Sequence, residues 1–177
     1  MSVPNIPQDK PLHPAAVHFP IAFLSLSFGL DALYGLTSSM SLPTLVSYLP
    51  AQLEMTRASH FLLSLGLITT LPAITSGGAQ AYKMINKAGM YEADNKTMRP
   101  KVKTTITHAI LNDIVFALGA YTWWCRRDRG PTYVPTTVEI LGSVVSLGLL
   151  LYSASLGGKL VYNQGVGLNI TSGKKAQ

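Results

Sequence analysis

Six ionisable side chains of this 177-residue chain fall inside long apolar runs: His18, Asp31, His60, His108, Asp113 and Glu139, with His13 just outside the first run. A charge at mid-span costs at least about 2.5 kcal/mol, so each of these groups needs a partner or a wet site. At about 1.5 Å per residue, His18 and His108 lie roughly one turn in from the same side of the chain's apolar layer. Two imidazoles at matched depth on diagonal helices are what a bis-histidine haem b requires. Asn112, four residues after His108, shares its helix face and is placed to orient the ring or to bond a ligand group. His18, His108 and Asn112 are therefore the candidate cofactor-binding residues, His18 and His108 the candidate metal ligands, and Lys159 or Lys103 the candidates to meet haem propionates. The alternative for the two histidines is structural, with each hydrogen-bonded to a main-chain carbonyl, or to the other, at a helix end. His13 precedes His18 by five residues, about 140° round a helix, so the two do not both point at one metal.

On the opposite side Asp31, His60 and Glu139 form a second polar cluster of similar depth, in which an Asp31–His60 pair would lower the cost of both groups. A proton relay must cross the membrane, and this cluster occupies one side only. Asp113 lies well inside the third run. It is expected to hydrogen-bond a Ser or Thr of a neighbouring helix, a proton or cation site being the functional alternative.

The elements that position these groups are four runs, 15–36, 59–80, 104–125 and 137–156. Each comes close to the roughly 20 apolar residues that cross a hydrocarbon core about 30 Å thick. Charged residues are 12% of the chain, about half the share in a soluble domain, while 47% is apolar and the mean hydropathy is +0.27. The runs also lack the polar face that a soluble bundle shows every turn. The sequence therefore reads as one all-α domain, an integral membrane four-helix bundle of up-down topology with the lipid bilayer as its first partner. Ser38 to Arg57, holding Pro43 and Pro50, reads as an interfacial segment between the first and second helices. Residues 81–103 read as a polar loop between the second and third, with a short helix near 82–88. Gly77-Gly78 and Gly157-Gly158 read as the ends of the second and fourth spans, the latter opening a glycine-containing tail, 157–177, expected to pack under the bundle near His18 and His108. Gly29, Gly66, Gly119, Gly142 and Gly148 lie within spans and permit close backbone approach.

Four spans put both termini and the 81–103 loop on one face. That face carries ten of the fourteen basic residues, and Arg57, Arg126, Arg127 and Arg129 make up the other four, the last three beside the interfacial pair Trp123 and Trp124. Both termini are accordingly expected in the cytoplasm, with the sequons at Asn95 and Asn169 unused; the sequence does not specify an organelle. The first thirteen residues show neither a basic n-region nor a small-residue cleavage site, so the first span is expected to remain as an anchor. One cysteine, Cys125, makes no intramolecular disulfide and no thiolate cluster. No P-loop, dinucleotide fingerprint, nucleophile elbow or HExxH motif occurs, and the basic residues are not interleaved with aromatics on a soluble element, so no nucleic-acid partner is expected.

Two segments are distinctive as strings. His13-Pro14-Ala15-Ala16-Val17-His18-Phe19-Pro20 opens the first span, and Gly157-Gly158-Lys159-Leu160-Val161-Tyr162, then Gly165-Val166-Gly167, closes the last. With Asp31, His108 and Asn112 they resemble the membrane family catalogued as domain of unknown function 2231. Its motif positions here are His13, Pro14, Pro20, Gly157, Gly158, Tyr162, Gly165 and Gly167. The resemblance implies four transmembrane helices. Fusion of some family members to Rieske-type domains hints at membrane electron transfer, with haem or quinone, although this chain carries no Rieske ligands. The functional expectation is a polar pocket of His18 and His108 that binds haem b or serves electron transfer. The alternative is a non-enzymatic structural or assembly subunit, working with other membrane subunits or as a homo-oligomer. A proton-coupled transporter built on Asp31, Asp113 and Glu139 would need to oligomerise. No catalytic activity of the chain on its own is expected.

Overall fold

A computed structural model describes residues 12–39, 49–130 and 133–166. Hydrocarbon offers no partner to backbone N–H and C=O groups, so apolar runs of this length satisfy them internally as helices. A short helix α1 (Leu12–Ala16) leads into α2 (His18–Ser39), followed by α3 (Gln52–Ala88), α4 (Pro100–Arg126) and α5 (Thr137–Tyr162). Val17 N–H bonds the His13 carbonyl and Ile21 N–H the Val17 carbonyl, each at 3.1 Å, so α1 and α2 form one rod. Among the described residues there is no strand, only an isolated Tyr91–Met98 bridge in the α3–α4 loop.

Local chemistry sets the ends. Pro100 occupies the first turn of α4, where its missing N–H costs nothing. Thr136 and Glu139 form a reciprocal capping box at the start of α5. Pro72 removes one ladder bond inside α3. Around it Thr69, Thr70 and Ser76 turn their hydroxyls back onto the carbonyls of Leu65, Gly66 and Pro72, all at 2.7 Å. Hydroxyls satisfied within their own helix need nothing from lipid.

Paired contacts give the topology. Asp31 meets Ser59, Leu24 meets Gly66 and His13 meets Gly77, so α2 and α3 are antiparallel. Ser64 with Trp123 and Leu67 with Gly119 do the same for α3 and α4, and His108 with Gly157 for α4 and α5. Gly35 beside Ile140 closes the ring between α2 and α5. This is the expected up-down bundle, with α2 and α4 on a diagonal. Leu24, Phe28, Leu63, Val115 and Leu150 form its apolar core. Ser59, Leu63, Gly66, Thr70 and Ala73 of α3 are buried at spacings of four and three, as are Glu139, Ser143, Ser146, Leu150 and Ser153 of α5. Small residues on such a seam let backbones approach closely.

The helices outrun the apolar runs. The short helix expected near 82–88 is the continuation of α3, and part of the expected interfacial segment, from Gln52, is its first turns. Gly77-Gly78 and Gly157-Gly158 lie inside α3 and α5 and end neither. The last helix stops at Tyr162, followed by Gly165 at φ 63°, with Gly165 N–H on the Val161 carbonyl. Residues 40–48 of the expected interfacial segment, and Gly167 with the rest of the expected tail, lie outside the described residues.

The distribution of side chains is that of a protein in lipid. Leu26, Phe61, Ile68, Leu71, Ile110, Leu141, Val145 and Leu151 stand exposed on the outside, whereas Ser27, Asp31, Ser59, Arg126 and Ser143 are buried within. Three helical stretches, Leu12–Ser39, Gln52–Ala88 and Thr137–Tyr162, are long and apolar enough to cross a membrane. The α4 helix, anticipated as a further span, is not among them. Asp113 does not make the interhelix bond expected of it and lies exposed on the outer side of α4.

Candidate functional site

Two polar clusters occupy opposite ends of the bundle, and each bridges the α2–α4 diagonal. The first is built on histidine, with a different partner from the one anticipated. His18 is exposed, and its Nδ1 reaches only the Ala15 carbonyl of its own rod at 3.4 Å. His13 is the residue that meets His108, with ring centroids 6.4 Å apart and planes at 82°. The reason is helical phase: His13 lies eighteen residues, about five turns, before the buried Asp31 and shares its inward face, while His18, about 140° round the helix from His13, faces out.

Each of the two rings is anchored to another helix. His13 Nδ1 lies 3.0 Å from the Ala73 carbonyl of α3, and His108 Nδ1 lies 2.8 Å from the Ser153 carbonyl of α5. A carbonyl only accepts, so Nδ1 carries a proton in both rings, and whenever the ring is neutral its lone pair is on Nε2. Glycines make the seats. A Cβ on Gly77 would stand 2.8 Å from His13 Cε1, and one on Gly157 would stand 3.2 Å from His108 Cε1. Asn112 does lie on His108, as its spacing implied. Its amide gives its two hydrogens to the His108 carbonyl and to Ser153 Oγ, both at 2.8 Å. The approach of that amide to the ring nitrogens, at 3.2 and 3.4 Å, is therefore packing rather than donation.

The second cluster is centred on Arg126. Its Nη2 donates to Asp31 Oδ2 at 2.7 Å and its Nη1 to Asp31 Oδ1 at 3.2 Å, with both side chains 1% exposed. Ser59 and Ser143 hydroxyls each donate to the same carboxylate at 2.6 Å, and Ser27 donates to the Ser59 carbonyl at 2.9 Å. Asp31 thus receives donors from α3, α4 and α5 at once. Glu139 Oε2 accepts Thr136 N–H at 2.8 Å and Arg129 Nη1 at 3.3 Å, while Oε1 stands 3.8 Å from Arg126 Nε. Asp31 and Glu139 therefore share a cluster as anticipated, but the Asp31–His60 pair does not form. Arg126 takes the carboxylate because a guanidinium fork matches it with two parallel bonds, which one imidazole cannot. His60 instead stacks on Trp123, with centroids 6.5 Å apart and planes at 14°. Arg126 was missed because an arginine at a span end beside two tryptophans looks interfacial. The depth it shares with Asp31 and Glu139 was the signal that could have found it.

Outside the helices, burial pushes the Tyr133 phenol up from its ordinary range. The Thr97 hydroxyl, with the Thr97 and Lys96 main-chain N–H groups, holds the Asp94 carboxyl below its own. Among the described residues no three His, Cys, Asp or Glu side chains gather to cage a metal ion.

Apolar outer faces, polar diagonals and helices long enough to span define a polytopic helical membrane protein. Residues 9–169 match the family described as predicted membrane protein DUF2231, so the chain belongs to that family. Neither the curated proteins nor the solved structures contain a significant match.

Proposed function

We propose that the His13 end of the bundle binds a haem b, which His13 and His108 would hold, and that the chain serves membrane electron transfer as a carrier or subunit. One observation carries this reading: in both imidazoles Nδ1–H is held by a main-chain carbonyl of another helix, which fixes the tautomer and leaves Nε2 as the coordinating atom. The two rings also share one place at this end of the bundle, with centroids 6.4 Å apart. Two histidines, with no third His, Cys, Asp or Glu gathered beside them among the described residues, would suit a group that brings its own ligands better than a bare ion. Lys103 and Lys159, both exposed, are the cations for its propionates. When bound, the group would supply one-electron chemistry; the chain's part is to hold, orient and shield it.

The test is an absorption spectrum of detergent-purified protein expressed with added haem precursor. A Soret band is expected, lost in His13→Ala and in His108→Ala and kept in His18→Ala. A wild-type spectrum without that band removes the proposal. A second reading is favoured by the same hydrogen bonds, since both rings already tie helices together: the chain is then a structural subunit of a membrane assembly. It expects the same two substitutions to lower yield or thermal stability with no spectral change.

A further inference from the structure

The diagonal helices α2 and α4 run parallel and in register. Arg126 bonds Asp31 at one end of the bundle, 95 residues apart in the chain, and His13 meets His108 at the other end with the same separation. Each residue of the first rod therefore lies at the depth of the α4 residue 95 positions later. Inward residues at these levels are used by the bundle itself. The outward ones pair by depth as Ala15 with Ile110, His18 with Asp113 and Ala22 with Ala117, and all six are exposed. Further along, Gly29 has nothing within 4 Å of an added Cβ and lies level with Trp124, whose ring is 60% exposed.

Two of these outward groups are out of place in lipid. An ionisable side chain there needs a polar partner. Among the described residues nothing bonds the Asp113 carboxylate, and His18 reaches only the Ala15 carbonyl at 3.4 Å. They stand on the outer sides of diagonal helices, so they do not meet within one copy. Copies inserted in the same direction share the same depths, however, and the His18 of one is then level with the Asp113 of its neighbour. An imidazole and a carboxylate complement each other in charge and hydrogen bonding. Ala15, Ala22, Ala117 and Gly29 clear the way for close backbone approach on either side of that pair.

We propose that this chain associates with further copies of itself in the membrane, the outer face of α4 in one copy packing on the outer face of α2 in the next, with Asp113 bonded to His18 across the contact. The two faces lie on opposite sides of the bundle, so the contact is heterologous. Each copy keeps one face free until the rotation between neighbours closes a ring. The assembly does not depend on haem.

Disulfide trapping tests the register with His18 and Asp113 intact. In a Cys125→Ser background, Ala22→Cys and Ala117→Cys are placed on separate chains, co-expressed and oxidised with copper phenanthroline in native membranes. A disulfide-linked dimer is expected from the mixture, monomer from either variant alone, and a series of larger species from a chain carrying both. Adding Asp113→Leu should slow cross-linking about threefold or more, the worth of one interhelix hydrogen bond in a membrane. The exchange His18→Asp with Asp113→His keeps the pair at the same depth and should restore the rate. No dimer from the mixture overturns the proposal. So does a dimer from Ala117→Cys alone, which would set α4 against α4, or a rate that Asp113→Leu leaves unchanged. His13 and His108 are untouched throughout, so failure here is distinct from failure of the haem reading.

Discussion

At the scale of single residues, the fold turns on one fully buried ion pair. Arg126 and Asp31 face no water, and their attraction repays desolvation only because every remaining lone pair of the carboxylate is met by Ser59 and Ser143. Removing one partner strands the other. Asp31→Leu is expected to destabilise the protein by about 3–5 kcal/mol, and Arg126→Met by a similar amount. The double variant should recover most of that loss, because neither charge is then left alone. Thermal unfolding in detergent measures all three, and a double variant as unstable as the sum of the singles would show that the pair is not the unit. The depths of Asp31, Glu139 and His108 were legible in the sequence because 1.5 Å per residue is a property of any helix. Partner choice was not. It depends on rotation about the rod's axis, which the buried Leu24, Phe28 and Asp31 fix: His13, eighteen residues or about five turns before Asp31, shares their face, and His18 does not.

At the scale of elements, the four rods were legible and their ends were not. Hydropathy changes at the membrane surface, whereas the helical hydrogen-bond ladder continues until a cap or a proline stops it. The run 59–80 is therefore embedded in a 37-residue helix. The paired glycines were misread for a related reason. Glycine near the end of an apolar run signals a C-cap, but within a packed bundle it also marks the place where a neighbour's side chain comes closest. Gly77 and Gly78 separate the two roles experimentally. Gly77→Ala puts a methyl 2.8 Å from the His13 ring and should cost about 1–3 kcal/mol, because the ring must leave the Ala73 carbonyl. Gly78 has nothing within 4 Å of the added carbon, so Gly78→Ala should be neutral or gain up to about 1 kcal/mol of helix propensity. Unfolding midpoints of the two variants compare them directly, and equal effects would refute the seat.

At the scale of the whole molecule, the question is where α4 lies. By length and composition α4 is not among the candidate spans, yet that measure counts groups the bundle hides. Arg126 is buried on Asp31, and His108 and Asn112 are turned onto Ser153. Lys101 and Lys103 lie in its first turns, where long side chains reach the interface. What remains in mid-helix on the outer side is Asp113, a cost of about 2.5–3.5 kcal/mol if charged and less if protonated. Twenty-seven residues make a rod of about 40 Å, enough to cross, and both its polar diagonals fail if α4 lies on the surface. Cysteine labelling decides this in a Cys125→Ser background. Lys96→Cys and Asp128→Cys flank the helix at exposed positions. In sealed right-side-out vesicles an impermeant maleimide should react with the Asp128→Cys variant and spare the Lys96→Cys variant until the membrane is opened. The bias of ten basic residues to four sets that direction. The reverse pattern would keep the span and invert the orientation. Equal labelling of both variants before permeabilisation would place the two ends of α4 on one side, and neither buried diagonal could then exist as described.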